Sequence, residues 1–453
     1  MIAYFKQNKL KFAAAVVALE VILGQILRLG SNLILTRLLA PEMFGVMLVA
    51  FVFLAGITML SSLGLKEKFI QSQNSYNQGF IDTCWSLQVV RGVLITVFSI
   101  IFALVVYWLN NVGIINENTT YASPEIPLIL SAIALTALLN GFNSIGMYDH
   151  ARNLRLVVLA KINLISQIVS TCAMVVIAFY YREIWVLLVA PLLDSVIKLV
   201  LSYHYSSGIK AKFRFEKDSL KEIVSFSKWI FIGSSLSYLS LNADRILLGG
   251  LLTAEELGVF SIAFMLAMAG KDLFLRIVKG VAYPKLSEIA RAYPGQLKDV
   301  MYSLRLKIDL LTWSGAGFLC GFGSVIINIL YDERYSDAGW MLELMSLSLI
   351  FVGLNVSQQA LLALSKTFSF AMIHALGTVY VLIIIPLSFH LYGIEGVIFF
   401  VAIKSLATVP VLYYLQYRYG LLNLIKEVQV FPVFILFYFI GLLSKNYLTD
   451  VWF

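Results

Sequence analysis

Long apolar stretches recur along the whole chain, and many of them reach the roughly 20 residues that a helix needs to cross a bilayer. Hydrophobic residues make up 60% of the 453 residues and charged residues only 13%, whereas soluble domains carry about a quarter charged residues. A water-facing globule cannot bury that much apolar surface. The stretches are continuous and too long for alternating transmembrane strands. The sequence therefore predicts an all-α polytopic membrane protein.

About thirteen spans are predicted from the length of the apolar stretches and from the polar residues between them. They are residues 12–38, 43–65, 80–109, 126–147, 157–181, 184–204, 228–252, 256–281, 303–330, 339–364, 368–390, 393–417 and 428–445. Most Lys and Arg residues fall in segments that are cytoplasmic when the N-terminus is cytoplasmic, and the outer loop 110–125 contains neither. This bias predicts a cytoplasmic N-terminus and, with thirteen spans, an external C-terminus.

A short motif occurs twice, each time between the end of one apolar stretch and the start of the next. Residues 38–46 read LLAPEMFGV and are followed by Ala50-Phe51, and residues 251–259 read LLTAEELGV and are followed by Ala263-Phe264. Six crossings separate the copies, so the repeat is parallel. The motif predicts two six-helix lobes formed by duplication.

The predicted domains follow from this repeat. Residues 1–210 form an N-terminal lobe with spans 1–6, residues 211–418 form a C-terminal lobe with spans 7–12, and residues 419–453 form an extra membrane segment. The basic loop 205–227 links the lobes and is expected to be partly an amphipathic surface helix. Control of topology alone is the alternative role for its charge.

Several stretches resemble a known family of transporters. They are residues 33–45, which read LILTRLLAPEMFG, residues 61–65 and 69–71, residues 226–229, which read FSKW, residues 242–249, which read NADRILLG, and residues 256–263, which read ELGVFSIA. These stretches resemble the polysaccharide-repeat-unit flippases, of the O-antigen or teichuronic-acid type, in the multidrug/oligosaccharidyl-lipid/polysaccharide exporter superfamily. The resemblance extends over the whole chain.

The resemblance implies a fold and a function. It implies two lobes around a central cavity that work by alternating access in a bacterial inner membrane. The substrate would be an oligosaccharide on a polyprenyl diphosphate carrier, moved from the inner to the outer leaflet for export of a cell-surface polysaccharide. Besides the lipid bilayer and this glycan, polysaccharide polymerase machinery is a possible partner.

Five of the cations inside predicted spans are singled out as candidates, because a charge at the bilayer centre costs on the order of 3 kcal/mol on insertion scales. They are Arg28, Arg91, Arg245, Lys271 and Lys404. Their excess over buried acids fits an anionic ligand, because a diphosphate accepts charge-assisted hydrogen bonds from several such groups. We predict that they converge on one cavity. Structural pairing with an acid on a neighbouring helix is the alternative for Arg28 and Arg245.

Neutral polar residues inside spans are predicted to line the same cavity. They are Gln25, Asn32, Asn242, Asn355 and Gln358. Gln25, Arg28 and Asn32 form one stripe on the first span, because residues three and four apart share a helix face. Asn140, Asn143, Asn163 and Gln167 could likewise bond sugar hydroxyls. Hydrogen bonds between helices are the alternative role for each.

Four ionisable groups inside spans are candidates for coupling transport to an ion gradient. They are Glu20, Asp244, Asp309 and His374. A carboxylate in a low-dielectric cavity can titrate near neutral pH, and structural pairing is the alternative. In the eighth span Asp272 and Arg276 are predicted to pair within the helix, which leaves Lys271 less satisfied, while Lys279 reaches the inner surface.

No pattern typical of an enzyme or of a metal site is present. The three cysteines lie in or beside spans, the four histidines are scattered, and no phosphate-binding glycine loop or nucleophile motif occurs. We predict no cofactor, no metal, no catalytic residue and, despite the net charge of +8, no nucleic-acid partner. Three alternatives remain. They are an exporter of amphipathic small molecules on the same scaffold, a membrane enzyme that processes glycans, and a scaffold subunit.

Overall fold

The computed structural model describes residues 2–60, 64–206, 208–278, 282–364 and 366–452, and the regular structure in these ranges is helical. Two parts of the sequence-based predictions lie outside the described residues: residues 61–63 of the family-like stretches and the predicted surface cation Lys279. The description also leaves out the side chains of Phe226, Lys228, Trp229 and Arg276. By length and composition, nine helices of the described chain can cross a membrane, or ten if one bent pair counts as a span. The predicted second and eighth spans, residues 43–65 and 256–281, extend into residues outside this set.

The helices follow one another with short connections. They are α1 Ile2–Leu38, α2 Pro41–Leu60, α3 Leu65–Gln71, α4 Gln78–Asn111, α5 Ile126–Gly141, α6 Gly146–Arg152, α7 Leu156–Tyr180, α8 Val186–His204, α9 Lys217–Gly249, α10 Ala254–Ile277, α11 Tyr283–Ala292, α12 Leu297–Leu330, α13 Ala338–Ser346, α14 Leu354–Ala363, α15 Thr367–Ala402, α16 Val409–Arg418, α17 Leu424–Val428 and α18 Phe431–Trp452. The protein is therefore an all-α, multi-pass membrane protein.

Both copies of the repeated motif form junctions between consecutive helices. In the first copy Pro41 begins α2 two residues after α1 ends, which suits a residue without a backbone N–H. In the second copy Thr253 caps α10 and accepts from the backbone N–H of Glu256, whose carboxylate accepts from the backbone N–H of Thr253. Each copy of the motif thus joins the end of one helix to the start of the next.

The chain divides into two compact units, Met1–Tyr238 and Leu239–Phe453. The division lies inside α9, later than the predicted boundary at residue 210. Residues 208–216, which we call the strap, are not helical and bond to side chains of α4: the backbone N–H of Lys212 donates to Asp82 Oδ1 at 2.9 Å and that of Glu216 to Thr83 Oγ1 at 2.9 Å. These bonds join the strap to the first unit, and the helix begins only at Lys217.

The last segment of the chain packs into the second unit. Helix α18 lies along α12, where Gly317 and Gly321 allow the two backbones to approach. A Cβ atom added at Gly317 would collide with the carbonyl oxygen of Phe434, and one at Gly321 would lie 2.6 Å from that of Tyr438. Small residues one turn apart are a common device for close helix contact in membranes.

The predicted eleventh and twelfth spans meet at a kink inside α15. Gly393 lies there with φ of 63°, a conformation that side chains with a Cβ rarely adopt. A short 3-10 turn, Lys404–Thr408, then leads into α16. The boundary predicted between residues 390 and 393 therefore coincides with this glycine.

Candidate functional site

Three of the predicted cations surround one acid in the second unit. Asp244 of α9 is buried, with 1% of its side chain exposed, and its Oδ2 lies 2.6 Å from the Nζ of Lys404. The backbone N–H of Arg245 donates to its Oδ1 at 3.0 Å. Lys271 of α10 lies close enough to Asp244 and Lys404 for electrostatic interaction with both. We call Arg245, Lys271 and Lys404 the cationic cluster.

The cationic cluster has more positive charge than its acids neutralise. Two carboxylates act on it, buried Asp244 and exposed Asp272, against three basic groups. In the described part of the chain Lys271 forms no ion pair. Asp244 is therefore paired with Lys404, and Lys271 is the member of the cationic cluster without an ion pair among the described residues.

Arg245 is held by an aromatic ring rather than by a carboxylate. Its guanidinium carbon lies 4.4 Å from the ring centroid of Phe264, and its Nη2 donates to the carbonyl oxygen of Leu241 at 3.2 Å. Its Nε is buried and has no hydrogen-bond partner among the described residues. Phe264 ends the second copy of the repeated motif, so the motif contributes directly to this cluster.

A cavity of about 470 Å³ lies inside the first unit, where a membrane helix is broken. Helices α5 and α6 meet at an angle of 67° there. The Nε2 of Gln88 donates to the carbonyl oxygens of Asn140, Gly141 and Asn143 at 3.3, 3.0 and 2.9 Å. One amide thus satisfies the carbonyls that the break frees, as a membrane interior demands.

Hydrogen-bond donors and acceptors line this cavity together with two cations. The lining includes Arg91, Lys66, Asn140, Asn143, Asn163, Thr58, Thr136 and Ser144. Arg91 donates from Nη2 to the carbonyl oxygen of Thr58 at 2.7 Å. Asn143 Oδ1 is buried without a partner among the described residues. The cavity can accept a ligand that carries hydroxyl groups and negative charge.

Helix α1 contacts the edge of this cavity through α7. Asn163 Nδ2 donates to Glu20 Oε1 at 2.9 Å, and Gln167 Nε2 donates to the carbonyl oxygen of Gly24 at 3.0 Å. Glu20 is therefore bound to a residue of the cavity wall. Arg28 is exposed on α1 and does not line the cavity.

The remaining predicted residues have varied surroundings. Gln25 and Asn32 are half-buried on α1, while Asn242 and Gln358 are buried. Asn355 donates to the carbonyl oxygen of Val352 in its own segment at 3.0 Å. His374 lies 3.4 Å from the hydroxyl of Ser240. Convergence of all five cations on one cavity stays a prediction, since each group has been described within its own unit.

Sequence reasoning missed three residues of these sites. Gln88 precedes Arg91 by one helical turn inside a span. A polar residue at such a position indicates a site inside the membrane segment. Lys66 was assigned to a loop because it follows the second span. Arg305 was counted among the cytoplasmic charges, but the structure buries it beside Asp309, with 4% of its side chain exposed.

Comparisons with known proteins agree with this architecture. Residues 34–339 match a family described as "Polysaccharide biosynthesis protein". The chain belongs to this family. It is 22% identical to the lipopolysaccharide biosynthesis protein WzxC of Escherichia coli over 333 residues, which cover 73% of the chain and 64% of that protein. It is 21% identical to the succinoglycan biosynthesis transport protein ExoT of Rhizobium meliloti over 321 residues, 70% of the chain and 61% of that protein. The matches span less than two thirds of these relatives.

Solved structures show the fold to which the chain is similar. The lipid II flippase MurJ, in an inward closed conformation, has a TM-score of 0.69 at 13% identity, covering 96% of the chain and 99% of that structure. An outward-facing multidrug transporter of the MATE family has a TM-score of 0.55 at 14% identity, covering 90% and 95%. The predicted all-α fold class is confirmed.

Proposed function

We propose that this protein translocates polyprenyl-diphosphate-linked oligosaccharide repeat units across a bacterial cytoplasmic membrane, from the inner to the outer leaflet. The observation that carries the proposal is the cationic cluster, whose charge exceeds that of its acids inside a membrane unit. A buried excess of positive charge is costly unless an anion compensates it. A diphosphate joined to a lipid is an anion that reaches such a site from within the bilayer.

The groups of the cationic cluster have different roles in this proposal. Lys404 is occupied by Asp244, so Lys271 and the unpartnered Nε of Arg245 are the groups that bind phosphate oxygens. Asp244 holds the ammonium group of Lys404 in place. Charge-assisted bonds from Arg and Lys to phosphate are among the stronger hydrogen bonds in proteins.

The cavity of the first unit supplies contacts for sugar in the same proposal. Its amides Asn140, Asn143 and Asn163 can exchange hydrogen bonds with hydroxyl groups, and Arg91 binds negative charge on the glycan or its phosphate. Its volume of about 470 Å³ lies within the range of small-ligand sites. We propose that the two lobes rock to expose the substrate alternately on each side of the membrane, with Arg28 on the path.

The names of similar proteins support this substrate class. WzxC and ExoT are named for the biosynthesis or transport of polysaccharides, and MurJ is named as a flippase of lipid II. The likeness to multidrug transporters supports the alternative, an exporter of amphipathic small molecules. The excess of buried cations weighs against a cationic substrate, which favours acidic and aromatic walls.

A transport assay in proteoliposomes tests the proposal. One vesicle population carries a fluorescent glycan on polyprenyl diphosphate, and a second carries the same glycan on a neutral lipid. We expect protein-dependent transfer between leaflets for the diphosphate only. Equal transfer of both lipids would contradict the role of the cations, and transport of an amphipathic cation instead of either lipid would favour the alternative.

A further inference from the structure

The second unit buries two carboxylates against a single guanidinium. Arg305 and Asp309 of α12 each expose 4% of their side chains, and Glu427 of α17 exposes 1%. Arg305 Nε lies 3.0 Å from Asp309 Oδ2, and its Nη1 lies 2.6 Å from Glu427 Oε2. With both acids ionised this group has a net negative charge in the interior of the protein.

The two carboxylates differ in the number of donors that they receive. Glu427 accepts from the hydroxyls of Tyr302 at 2.7 Å and Tyr413 at 2.8 Å, in addition to Arg305. Asp309 receives only the Arg305 bond, and its Oδ1 is buried with no partner among the described residues. Negative charge is therefore better stabilised on Glu427.

The surroundings of Asp309 offer little further compensation. Gly353, which precedes α14, lies so close to Asp309 Oδ1 that a Cβ there would collide with it, and Ser357 of α14 accepts from Arg305 at 3.4 Å. Lys426, the residue before Glu427, is paired with Asp299 at 3.2 Å, and the side chain of Asp299 is 78% exposed. The network therefore has one carboxylate more than its nearby cation can balance.

We infer that the network of Arg305, Asp309 and Glu427 is a proton-binding site, in which Asp309 carries one exchangeable proton. Protonation of Asp309 makes the buried group neutral and leaves Arg305 with Glu427. Because a buried, uncompensated charge costs several kcal/mol, uptake of one proton is the simplest way to balance this group. The proton lies on Asp309, the carboxylate that receives fewer hydrogen-bond donors.

The position of the site suggests what the proton does. Asp309 contacts the start of α14, directly after the 3-10 turn Leu347–Phe351, and such turns inside a membrane segment often mark hinges. Losing the proton strengthens the attraction between Asp309 and Arg305 on α12. In the transport cycle, and resting on the proposed function, this exchange couples a proton gradient to movement of the lobe.

Two measurements on purified protein test the proton site without requiring transport. A hydrophobic carbodiimide modifies protonated carboxylic acids in apolar sites, and peptide mass spectrometry locates the modification. We expect labelling at Asp309 that is lost as pH rises, and none at Glu427 or Asp299. Infrared spectroscopy should show a protonated carboxyl band that titrates, disappears in Asp309→Asn and persists in the control Asp299→Asn.

A second variant guards against misfolding of Asp309→Asn. In Glu427→Gln, Arg305 is balanced by Asp309 alone, so Asp309 should stay ionised and lose its labelling although its side chain is intact. Absence of the band in wild type, or labelling on Glu427 instead, would overturn the inference. If wild type shows the band but flips the substrate at a rate independent of a pH gradient, the coupling is contradicted. If wild type does not flip the substrate at all, only the proposed function is contradicted.

Discussion

Asp244 shows what a buried carboxylate requires inside a membrane unit. Its side chain is 1% exposed, and both of its oxygens have partners, Nζ of Lys404 and the backbone N–H of Arg245. Without Lys404 the carboxylate would stay buried and would keep the backbone N–H of Arg245 as its hydrogen-bond donor. The pair therefore determines whether α9 can place a charge at this depth.

We predict that Lys404→Met destabilises the protein and that Asp244→Asn added to it restores much of the loss. Breaking a buried ion pair costs about 3–5 kcal/mol, and the effect should lie at the low end because the side chain of Lys404 is 27% exposed. Thermal unfolding of the detergent-solubilised variants measures both. Additive losses in the double variant would show that the two charges do not stabilise each other.

The residue scale also marks the limit of sequence-based prediction. Charges in apolar spans drew attention to Asp244, Lys271 and Lys404, because burial of charge is costly anywhere in a membrane. Their partners were not predictable, since Lys404 and Asp244 are 160 positions apart. Glu427 was missed for another reason: it lies in the five-residue helix α17, just before the predicted thirteenth span.

At the scale of elements, the strap and the start of α9 are fixed to the first unit by polar contacts. Glu222 of α9 lies 2.8 Å from Lys68 Nζ and accepts from Ser72 at 3.0 Å and from Asn74 at 3.2 Å. The hydrogen bond from Lys68 holds the pKa of the Glu222 carboxyl below its usual range, with Ser72 and Asn74 adding to the effect. Ionised Glu222 thus stabilises the folded state.

We expect the stability that Glu222 contributes to disappear in acid. Because its pKa is lowered in the folded state, the contribution is complete above the ordinary carboxyl pKa of about 4.3 and is lost as pH falls below it. Glu222→Gln should therefore lower the melting temperature by a small amount near pH 7 and have no effect at the lowest pH. The control Glu288→Gln removes the acid of an exposed ion pair and should leave the melting temperature unchanged both near pH 7 and at the lowest pH. A constant difference at every pH would contradict the ionic role.

The packing of α18 on α12 predicts opposite changes in stability when two glycines of α12 are replaced by alanine. A Cβ at Gly317 would meet backbone atoms of α18, whereas a Cβ at Gly315 meets nothing within 4 Å. Gly315→Ala should stabilise by about 0.5–1 kcal/mol through reduced backbone entropy, and Gly317→Ala should destabilise by about 1–3 kcal/mol through overpacking. Melting temperatures of the two variants test this. Equal effects would show that the helices can separate freely.

The positions of the helices were largely predictable from the sequence, whereas the break between α5 and α6 was not. The spans followed from the length of the apolar stretches. The kink at Gly393 lies at the predicted boundary between the eleventh and twelfth spans. The sequence predicted one continuous span across the break between α5 and α6, because residues 126–147 are mostly apolar. What bends the chain there is a set of backbone carbonyls bonded by Gln88 of α4, and this contact comes from tertiary packing.

At the scale of the whole molecule, the repeated motif carried most of the fold prediction. It placed a helix junction at α1–α2 and another at α9–α10, and the chain does divide into two compact units. The boundary shifted into α9 because the strap bonds to α4, a polar interaction that a hydropathy pattern cannot reveal. The substrate's sugars leave no comparable trace in the sequence, since amides bind many hydroxyl arrangements.

The measurement that tests the central claim most directly is flipping of the diphosphate-linked glycan by wild type, Lys271→Arg and Lys271→Gln in proteoliposomes. A charge-assisted hydrogen bond contributes about 1.5–3 kcal/mol, so Lys271→Gln should reduce the rate roughly tenfold or more, while Lys271→Arg should retain most of it. Lys285→Gln, which removes an exposed cation of α11, is the matched control and should flip like wild type. Equal rates for the Arg and Gln variants would contradict recognition of the substrate by buried positive charge.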